Sequence, residues 1–503
     1  TPEDRVMPSR LRILLVASEA SPFAKTGGLG DVTGALPRAL RALGHDVRIL
    51  MPRHRGVEQH ASEIKTIVPR LAVPLGDRLV EGALQETETA VGVPVYFLAQ
   101  DQYFDRDGLY GTADGDYGDN CERFVFFCRG ALESVIELGE VWRPQIIHVN
   151  DWQTGLIPVY LRTLYRDHPL LGSLATVLTI HNLAYQGVFW HYDMAMTGLG
   201  WDLFTPAGLE FYGKINFLKG GLVFSDLLTT VSRTYAAEIR TPEFGNGLDG
   251  VLEERVRDLY GVINGIDYEQ WNPAKDPALP RHYSADEPEG KTVCREALRR
   301  ELGLEDAPGP IVGMVTRLAG QKGLDLALEA LPAMLDAGCQ VALLGSGEAH
   351  LEEAWMQAAA RYPGQVAVRL GYDTALSSRI YGGADCFLMP SRYEPCGLGQ
   401  LVALRYGTVP IVRRTGGLAD SVTEFDAARR AGTGFLFDAF EADAMLDAIR
   451  RAVAAFRRPE LWNALVRNGM TEDFSWDASA REYALLYKKA LRPAGTKPSR
   501  RSR

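Results

Sequence analysis

The chain of 503 residues is 46% hydrophobic and carries 54 Lys and Arg against 64 Asp and Glu, which gives a net charge of −10. That length accommodates two large domains or up to about four smaller ones, and the mildly acidic balance argues against a protein that coats nucleic acid or anionic lipid. No apolar run approaches the roughly 18 residues of a membrane span and no signal or transit peptide is evident, so we expect a cytoplasmic protein without a membrane partner.

The first half of the chain begins with a strand, a loop, a helix and a second strand. An apolar run at 11–17 predicts a buried strand, and the stretch KTGGLGDV at 25–32 predicts a glycine-rich loop. An amphipathic helix near 31–43 then leads to a strand at 46–51, which completes a βαβ unit. Further buried strands are predicted at 93–98, 144–149, 175–180 and 227–232.

The second half repeats this alternation after a junction, where turn residues and a helix-breaking Asn-Pro at 261–273 are followed by the polar, proline-rich stretch PALPRHYSADEPEG. Its predicted strands lie at 310–315, 339–345, 365–371, 385–390 and 408–414. Apolar strands separated by helices indicate parallel sheets covered on both faces, so we predict an α/β protein with two Rossmann-like, doubly wound domains that face a deep interdomain cleft. The expected segments are an N-terminal domain at 1–262, a C-terminal domain at 263–478, a helix at 479–492 that crosses back to the first domain, and a disordered basic tail at 493–503.

The first glycine-rich loop places Lys25 beside glycines at the start of a predicted helix, an arrangement that suits a phosphate. Gly28, Gly30 and Gly34 miss the dinucleotide-binding fingerprint by one residue, because Thr33 occupies the position of the third glycine. The second strand also ends without the acidic residue that would hold a ribose. The loop by itself therefore supports a phosphate cradle and an ordinary turn about equally.

Two loops of the second half carry charged residues after predicted strands, where the ligands of parallel sheets bind. Arg317 and Lys322 suit a diphosphate, although two solvated surface cations would give the same pattern. Glu394 is a candidate ligand for sugar hydroxyls, with a helix-capping glutamate as the alternative. Cys396 has no histidine nearby in the sequence and is predicted to be a small buried residue rather than a nucleophile.

Polar residues also follow two strands of the first half. Asp151, His181 and Asn182 are expected to line the first domain's side of the cleft, although a lone histidine is more often structural. No metal site is predicted, because the Asp-x-Asp strings at 105–107 and 114–116 fall in a loop without a strand before them. The six cysteines show no zinc-ligand spacing and suit a reducing compartment.

The sequence TGGL occurs twice, at 26–29 and at 415–418, each time between a predicted strand and a helix. Lys25 precedes the first copy and Arg414 precedes the second. We expect the two copies to form corresponding lips of the cleft, with chance convergence on a favourable turn as the alternative.

Taken in chain order, KTGGLGDV, HNLAYQG, NGID with WNP, TRL with QKGLDL, SRYEPCGLGQ and RRTGGLADSV resemble the motifs of the bacterial glycogen synthase and plant starch synthase family. The resemblance runs from about residue 11 to 490. It implies a GT-B fold and a metal-independent glycosyltransferase without a cofactor. It further implies that glucose passes from ADP-glucose, with retention, to the non-reducing 4-OH of glycogen or another α-1,4-glucan, and that no nucleic acid takes part.

The resemblance also implies residue roles. It makes His181, Glu394, Arg317 and Lys322 catalytic and Tyr372 an adenine-stacking residue. The substrate-binding residues that it implies are Lys25, Gly27, Gly28, Asp151, Asn182, Asn264, Tyr372, Cys396, Gly397, Leu398, Thr415 and Gly416.

Three positions depart from related sequences. Asn150 stands where the family usually has histidine, and Gly399 stands where it usually has threonine. Val402 occupies the place of a second glutamate found in related E-x7-E glycosyltransferases. These departures leave the surroundings of the donor and of the transferred sugar to be tested.

Other interpretations remain open from the residues alone. A transferase that uses UDP-glucose or another acceptor would need the same cations, and a catalytically inactive glucan-binding protein would share the fold. A nicotinamide oxidoreductase is disfavoured by the displaced glycine. Front-face substitution and double displacement both remain possible as the retaining mechanism.

Overall fold

A computed structural model describes residues 10–112 and 114–491 of the chain. The chain divides into two compact units, which we call unit 1 and unit 2. Of the described residues, unit 1 contains those up to Val231, Ala236–Val262 and those from Trp476 to 491, and unit 2 contains Ser232–Tyr235 and Ile263–Ser475. The predicted basic tail at 493–503 lies outside the described residues.

The strands are numbered in chain order. Those before residue 262 are β1 Arg12–Val16, β2 Asp46–Pro52, β3 Lys65–Leu75, β4 Arg78–Glu88, β5 Pro94–Ala99, β6 Gly111–Thr112, β7 Gly115–Asp116, β8 Ile146–Asn150, β9 Ala175–Ile180, β10 Val188–Trp190, β11 Glu210–Phe211, β12 Lys214–Asn216, β13 Leu227–Thr230 and β14 Leu259–Gly261. Those after it are β15 Ile311–Val315, β16 Gln340–Gly345, β17 Val366–Leu370, β18 Cys386–Met389, β19 Val409–Arg413 and β20 Phe435–Phe437.

The α-helices are numbered in the same way. Those before residue 262 are α1 Gly28–Ala42, α2 Asp101–Phe104, α3 Asn120–Leu138, α4 Leu156–Arg162, α5 Met194–Thr197, α6 Phe217–Phe224, α7 Arg233–Glu238 and α8 Asp249–Glu254. Those after it are α9 Gly290–Leu302, α10 Leu324–Asp336, α11 Ala349–Arg361, α12 Thr374–Gly383, α13 Gly399–Arg405, α14 Gly416–Ser421, α15 Ala442–Phe456, α16 Pro459–Thr471 and α17 Trp476–Ala490. Short 3-10 turns occupy Val57–Gln59, Trp152–Thr154, His191–Asp193, Trp201–Leu203 and Gly320–Lys322.

The main sheet of unit 1 has nine strands in the order β14-β13-β9-β8-β1-β2-β5-β4-β3. Strands β14 to β5 pair in parallel, whereas β4 pairs antiparallel with both β5 and β3. The sequence did not predict β3 and β4, because both alternate between exposed and buried residues instead of forming a continuous apolar run. The central parallel strands β1, β8 and β9 are buried along nearly their whole length, as predicted.

The last described helix, α17, packs on unit 1 and supplies part of its core. Trp476, Tyr483 and Tyr487 are buried together with residues of β1 and α1. The Tyr487 hydroxyl also lies 2.8 Å from Nδ1 of His148 on β8. Unit 1 is therefore built from two segments of the chain that are far apart in sequence.

Unit 2 is organised around a six-stranded sheet in the order β17-β16-β15-β18-β19-β20, with every pairing parallel. Its order reverses direction at β15, so the loops after β15 and β18 leave neighbouring strands at the same edge. A three-stranded sheet, β10-β12-β11, and the hairpin β6-β7 belong to unit 1. A search of the described helices finds none with the length and apolar character to cross a membrane.

Candidate active site

In unit 1 the candidate residues lie at the carboxyl ends of three adjacent strands. Glu19 follows β1, Asn150 and Asp151 end and follow β8, and His181 follows β9. Because these strands are parallel neighbours, their carboxyl ends present polar side chains at one edge of the sheet. This edge is the candidate site of unit 1.

Asp151 adopts a strained backbone conformation, with φ of 56°, that is uncommon for a residue other than glycine. Its Oδ1 accepts the His181 N–H at 2.7 Å, and the Asn182 N–H also donates to the carboxylate. Burial, with Glu19 adding like charge, raises the pKa of Asp151 to about 7. In this conformation the Asp151 carboxyl group, with its raised pKa, faces the backbone of the loop that follows β9.

His181 is 9% exposed and its ring is held by Asn150, whose Oδ1 lies 2.9 Å from Nε2. Burial lowers the pKa of His181 to about 3, so the imidazole is neutral near pH 7. A neutral ring offers one hydrogen-bond donor and one acceptor. His181 is therefore suited to positioning a hydroxyl group rather than to neutralising a phosphate.

The loop that contains Thr26 is anchored by the buried carboxylate of Glu19. Oε2 of Glu19 accepts the Thr26 N–H at 2.5 Å, and Oε1 accepts the Thr26 hydroxyl at 2.7 Å and the Tyr110 hydroxyl at 2.6 Å. The Tyr110 hydroxyl also lies 2.7 Å from Oγ of Ser18. Glu19 thereby joins the first glycine-rich loop to the loop that precedes α3.

Gly27 and Gly28 of this first loop are open to their surroundings. Apart from the adjacent residues and the backbone of α1 itself, no atom of the described residues lies within 4 Å of the position that a Cβ would take at either glycine. Lys25 is about half exposed and its Nζ forms a 2.6 Å ion pair with Asp31 in α1. The structure therefore pairs Lys25 locally and leaves space beside the two glycines at the helix N-terminus.

In unit 2 the Lys322 ammonium and the Glu394 carboxylate form a bidentate pair. Nζ of Lys322 lies 2.9 and 2.7 Å from the two carboxylate oxygens, and the Ser391 hydroxyl donates to Oε2 at 2.9 Å. Glu394 is 5% exposed. Two residues predicted as catalytic are thus in contact with each other.

Arg317 follows β15 at the same edge of the sheet but is exposed. Within the described ranges its guanidinium has no hydrogen-bond or ion-pair partner. It is the available cation of this cluster, whereas Lys322 is already neutralised by Glu394.

The turn after Glu394 is closely packed. Cys396 is buried, which raises the pKa of its thiol to about 12, and it accepts a hydrogen bond from the backbone N–H of Asn264. A thiol with this pKa is not an activated nucleophile, as the sequence predicted. Gly397 has φ of 71°, and Leu398 is the N-cap of the seven-residue helix α13.

The second TGGL segment packs directly behind this turn. The Gly417 N–H donates to the backbone oxygens of Glu394 at 3.0 Å and Pro395 at 3.2 Å. A Cβ at Gly416 would lie 1.9 Å from the Glu394 oxygen, and a Cβ at Gly417 would lie 2.0 Å from the Cys396 oxygen. Thr415 is also buried. These glycines therefore permit two stretches of backbone to approach closely.

Two further candidates of unit 2 differ in their exposure. Asn264 is buried, and its Oδ1 has no hydrogen-bond partner among the described residues. Tyr372 is 89% exposed and follows β17 and Gly371. The described contacts join Asn264 to Cys396 but do not join Tyr372 to the other candidates.

Sequence reasoning missed three residues that organise these clusters. Glu19 and Ser391 have the same placement after a strand as the predicted residues, and that placement is the signal that could have found them. Asn150 was noted as a departure from the family, but its contact with His181 depends on the neighbouring strand.

The Asp-x-Asp string at 105–107 is used for ion pairing. Both aspartates pair with Arg55, and Asp107 is highly exposed. Over the described ranges, no group of three or more His, Cys, Asp or Glu side chains is arranged to hold a metal ion.

Comparisons with known proteins agree along the chain. Residues 12–254 match the family model for the starch synthase catalytic domain, and residues 295–469 match that for glycosyl transferases group 1. A glycogen synthase from Syntrophotalea carbinolica is 52% identical, over 96% of this chain and 99% of that protein. A glycogen synthase from an Anaeromyxobacter species is 50% identical, over 96% of this chain and 100% of that protein.

Solved structures share the architecture. The catalytic domain of starch synthase IV from Arabidopsis thaliana, bound to ADP and acarbose, is 35% identical with a TM-score of 0.87, over 96% of this chain and 100% of that one. Sucrose-phosphate synthase from Thermosynechococcus elongatus is 19% identical with a TM-score of 0.60 over 95% and 98% and supports the fold alone. The predicted GT-B fold is confirmed. The chain belongs to the glycogen synthase and starch synthase family of glycosyltransferases.

Proposed function

We propose that the protein transfers glucose from ADP-glucose, with retention, to the non-reducing 4-OH of an α-1,4-glucan and so elongates glycogen. The observation that carries this proposal is the cluster of Arg317, Lys322 and Glu394 at one edge of the unit 2 sheet. It occurs in a chain that resembles glycogen synthases over 96% of its length. Because those relatives are named glycogen synthase, we propose glycogen as the product.

Arg317 and Lys322 would stabilise the departing diphosphate. Cleavage of the bond between glucose and phosphate leaves negative charge on the leaving group and positive character on the sugar. Fixed cations near the leaving group lower the barrier because their attraction grows as the charge develops. A guanidinium binds phosphate oxygens bidentately, and the unpaired Arg317 is available to do so.

The ion pair between Lys322 and Glu394 suggests a division of labour. A diphosphate that approaches Nζ of Lys322 would share the ammonium with Glu394, which could then accept hydrogen bonds from glucosyl hydroxyls. The Ser391 hydroxyl would hold the carboxylate in place during this exchange. We therefore propose that Lys322, Glu394 and Ser391 form part of the donor site. Asn264, Tyr372 and the turn at 396–398 would also contact the donor.

Unit 1 would contact the transferred sugar and the acceptor. Asp151, His181 and Asn182 present one carboxyl group, one neutral imidazole and one amide, all of which form hydrogen bonds with hydroxyl groups. A neutral His181 adds no positive charge beside a sugar that itself becomes positive in the transition state. Lys25 and the open glycines after it would border the substrate.

ADP-glucose is proposed over UDP-glucose because the starch synthase IV structure contains ADP. Arg317 and Lys322 would serve either donor, since both carry a diphosphate. The proposal also places the enzyme in the cytoplasm with a neutral glucan as its partner and without nucleic acid.

The test is incorporation of labelled glucose into glycogen from ADP-glucose and from UDP-glucose at equal concentrations. We expect transfer from ADP-glucose to be faster, and we expect the new linkage to be sensitive to an enzyme specific for α-1,4 bonds. No transfer from ADP-glucose would overturn the proposal, and faster transfer from UDP-glucose would overturn the choice of donor.

A further inference from the structure

The side-chain amide of Asn150 is fully buried at the end of β8, and both of its polar atoms have defined partners. Nδ2 donates to the backbone oxygens of Val16 at 3.1 Å and His148 at 3.4 Å. Oδ1 faces Nε2 of His181 at 2.9 Å. Turning the amide over would set its oxygen against two carbonyl oxygens, so these contacts fix its orientation.

The orientation of the amide determines which nitrogen of His181 carries the proton. An amide oxygen only accepts hydrogen bonds, so Nε2 must be the donor. A neutral imidazole has one N–H, which leaves Nδ1 with a lone pair. No donor to Nδ1 is found in the described part of the chain.

We propose that Asn150 is a positioning residue that fixes His181 as the Nε2–H tautomer, so that Nδ1 accepts a hydrogen bond from a hydroxyl group of the bound sugar. The identity of the sugar rests on the proposed function, whereas the tautomer rests on the contacts of Asn150 alone. In the opposite tautomer Nδ1 would be a donor, and the hydroxyl would have to accept instead.

Several titratable groups surround this histidine. His148 lies on the same strand as Asn150, and its nitrogens face the hydroxyls of Tyr487 and Thr179. The Asp151 carboxyl group accepts the backbone N–H of His181, and Glu19 acts on Asp151 as a nearby like charge. A substitution at residue 150 leaves all of these titratable groups in the protein. A change in the pH dependence of kcat would therefore report the contact at Nε2 of His181.

The kinetic test uses Asn150→Ala and Asn150→Asp, with Ser134→Ala as the control. Ser134 is buried in α3 and donates one hydrogen bond to the Gly130 backbone oxygen at 2.7 Å, so its replacement removes a buried hydrogen bond away from His181. We expect Asn150→Ala to lower kcat by roughly 10- to 100-fold, as is typical for a residue that orients a site histidine. KM for ADP-glucose should change less than about 3-fold, because the residue acts through His181. The control should keep the wild-type kcat.

Asn150→Asp tests the same contact through pH. In this variant an oxygen replaces Nδ2 and faces the backbone oxygens of Val16 and His148, so burial favours the protonated carboxyl group, which donates there as the amide did. We therefore expect kcat to stay near the wild-type value at acid pH and to fall as pH rises and this carboxyl group ionises, a dependence that the wild type should lack. Wild-type kcat in Asn150→Ala, or an unshifted profile in Asn150→Asp, would overturn the proposal.

The tautomer can be measured without activity and without a substitution at residue 150. In wild-type protein labelled with nitrogen-15 histidine, the resonance missing from His181→Gln identifies His181. We expect a protonated Nε2 and an unprotonated Nδ1, and a protonated Nδ1 would overturn the proposal even if Asn150→Ala failed to fold. A wild-type protein that shows this tautomer but transfers no glucose would instead refute the proposed function.

Discussion

The two TGGL segments have the same sequence and opposite surroundings. In unit 1, Gly27 and Gly28 have open space where a Cβ would stand, and Thr26 is tied to the buried carboxylate of Glu19. In unit 2, Gly416 and Gly417 touch the backbone of the turn that carries Glu394 and Cys396. The first segment leaves open space beside its glycines, and the second packs against the backbone of the candidate site residue Glu394.

This difference shows that the sequence of a glycine-rich turn does not by itself determine the function of the turn. Each copy precedes a helix, α1 or α14, and each follows a strand. The two copies differ in what faces their glycines. The backbone of residues 394–396 faces the second copy, whereas open space lies beside the first. The first copy is therefore a candidate binding surface and the second is part of the scaffold under Glu394.

Alanine at the two segments should separate these roles, and this is the largest expected effect. Gly416→Ala places a Cβ 1.9 Å from the Glu394 oxygen at φ of 44°. Overpacking against backbone in this conformation should cost about 3 kcal/mol of unfolding free energy and lower kcat by at least about 100-fold, because Glu394 is displaced. Gly28→Ala, at an open glycine of the first segment, is the control and should change the unfolding free energy by less than about 1 kcal/mol. Denaturant unfolding and initial rates measure both, and equal destabilisation by the two variants would contradict the contrast.

Arg317 and Lys322 show a similar contrast between two charged groups. The Arg317 side chain is exposed and has no ion-pair partner among the described residues, whereas the Lys322 ammonium is paired with Glu394. Arg317→Ala should lower kcat about 100-fold with little change in stability, because it removes only an exposed cation. Lys322→Met should lower kcat and also cost about 1–3 kcal/mol of unfolding free energy, because Glu394 stays buried without its partner. Steady-state kinetics and chemical denaturation test both variants. Loss of stability in Arg317→Ala would show that its guanidinium is not free.

Glu19 tests whether the open loop depends on its anchor. Glu19→Gln keeps the shape of the side chain but replaces one acceptor of Thr26 with a donor group. We expect kcat/KM for the donor to fall roughly 10-fold and the unfolding free energy to fall by about 1–3 kcal/mol. Thr26→Val, which removes only the hydroxyl contact, should have a smaller effect on both quantities. A wild-type kcat/KM in Glu19→Gln would contradict the anchoring role.

Acid should loosen unit 1 before unit 2. Burial lowers the pKa of His54 to about 4 and those of His148 and His181 to about 3, and all three lie in unit 1. Since their unfolded pKa is higher, the unfolded chain binds more protons below about pH 6.5, and stability falls as pH falls through that window. Each histidine contributes up to about 1.4 kcal/mol per pH unit.

Asp151 opposes this trend, because its folded pKa of about 7 exceeds its unfolded value and its proton stabilises the folded state at low pH. Three histidines should outweigh one aspartate. Hydrogen exchange at pH 7 and pH 5 measures the outcome, with protection expected to fall first in peptides of β8 and β9. Earlier loss of protection in β15 and β18 would contradict the expectation.

Much of the fold follows from local pattern. The buried run at 175–180 predicted β9 to the residue, because both faces of a central parallel strand are apolar. The exposed faces of β3 and β4 removed that signal. Ligands bind where the strands of a parallel sheet end, and the sequence places Asp151, His181 and Glu394 just after predicted strands. They were predicted as site candidates for that reason.

The contacts between candidates were beyond the sequence. The pair between Lys322 and Glu394 spans 72 residues, and the support of Glu394 by Gly416 depends on how two loops meet. The role of Asn150 required the spacing of neighbouring strands to place its amide beside His181. Residue types predicted the candidate groups, whereas tertiary structure determines which of the charged candidates already have an ion-pair partner and which do not.

The most direct measurement is proton NMR of ADP-glucose and a short α-1,4-glucan during incubation with the enzyme. The proposed function predicts that ADP appears in step with new α-1,4 linkages at the non-reducing end, and that Arg317→Ala slows both equally. Release of ADP without new linkages, or a product with inverted anomeric configuration, would contradict it.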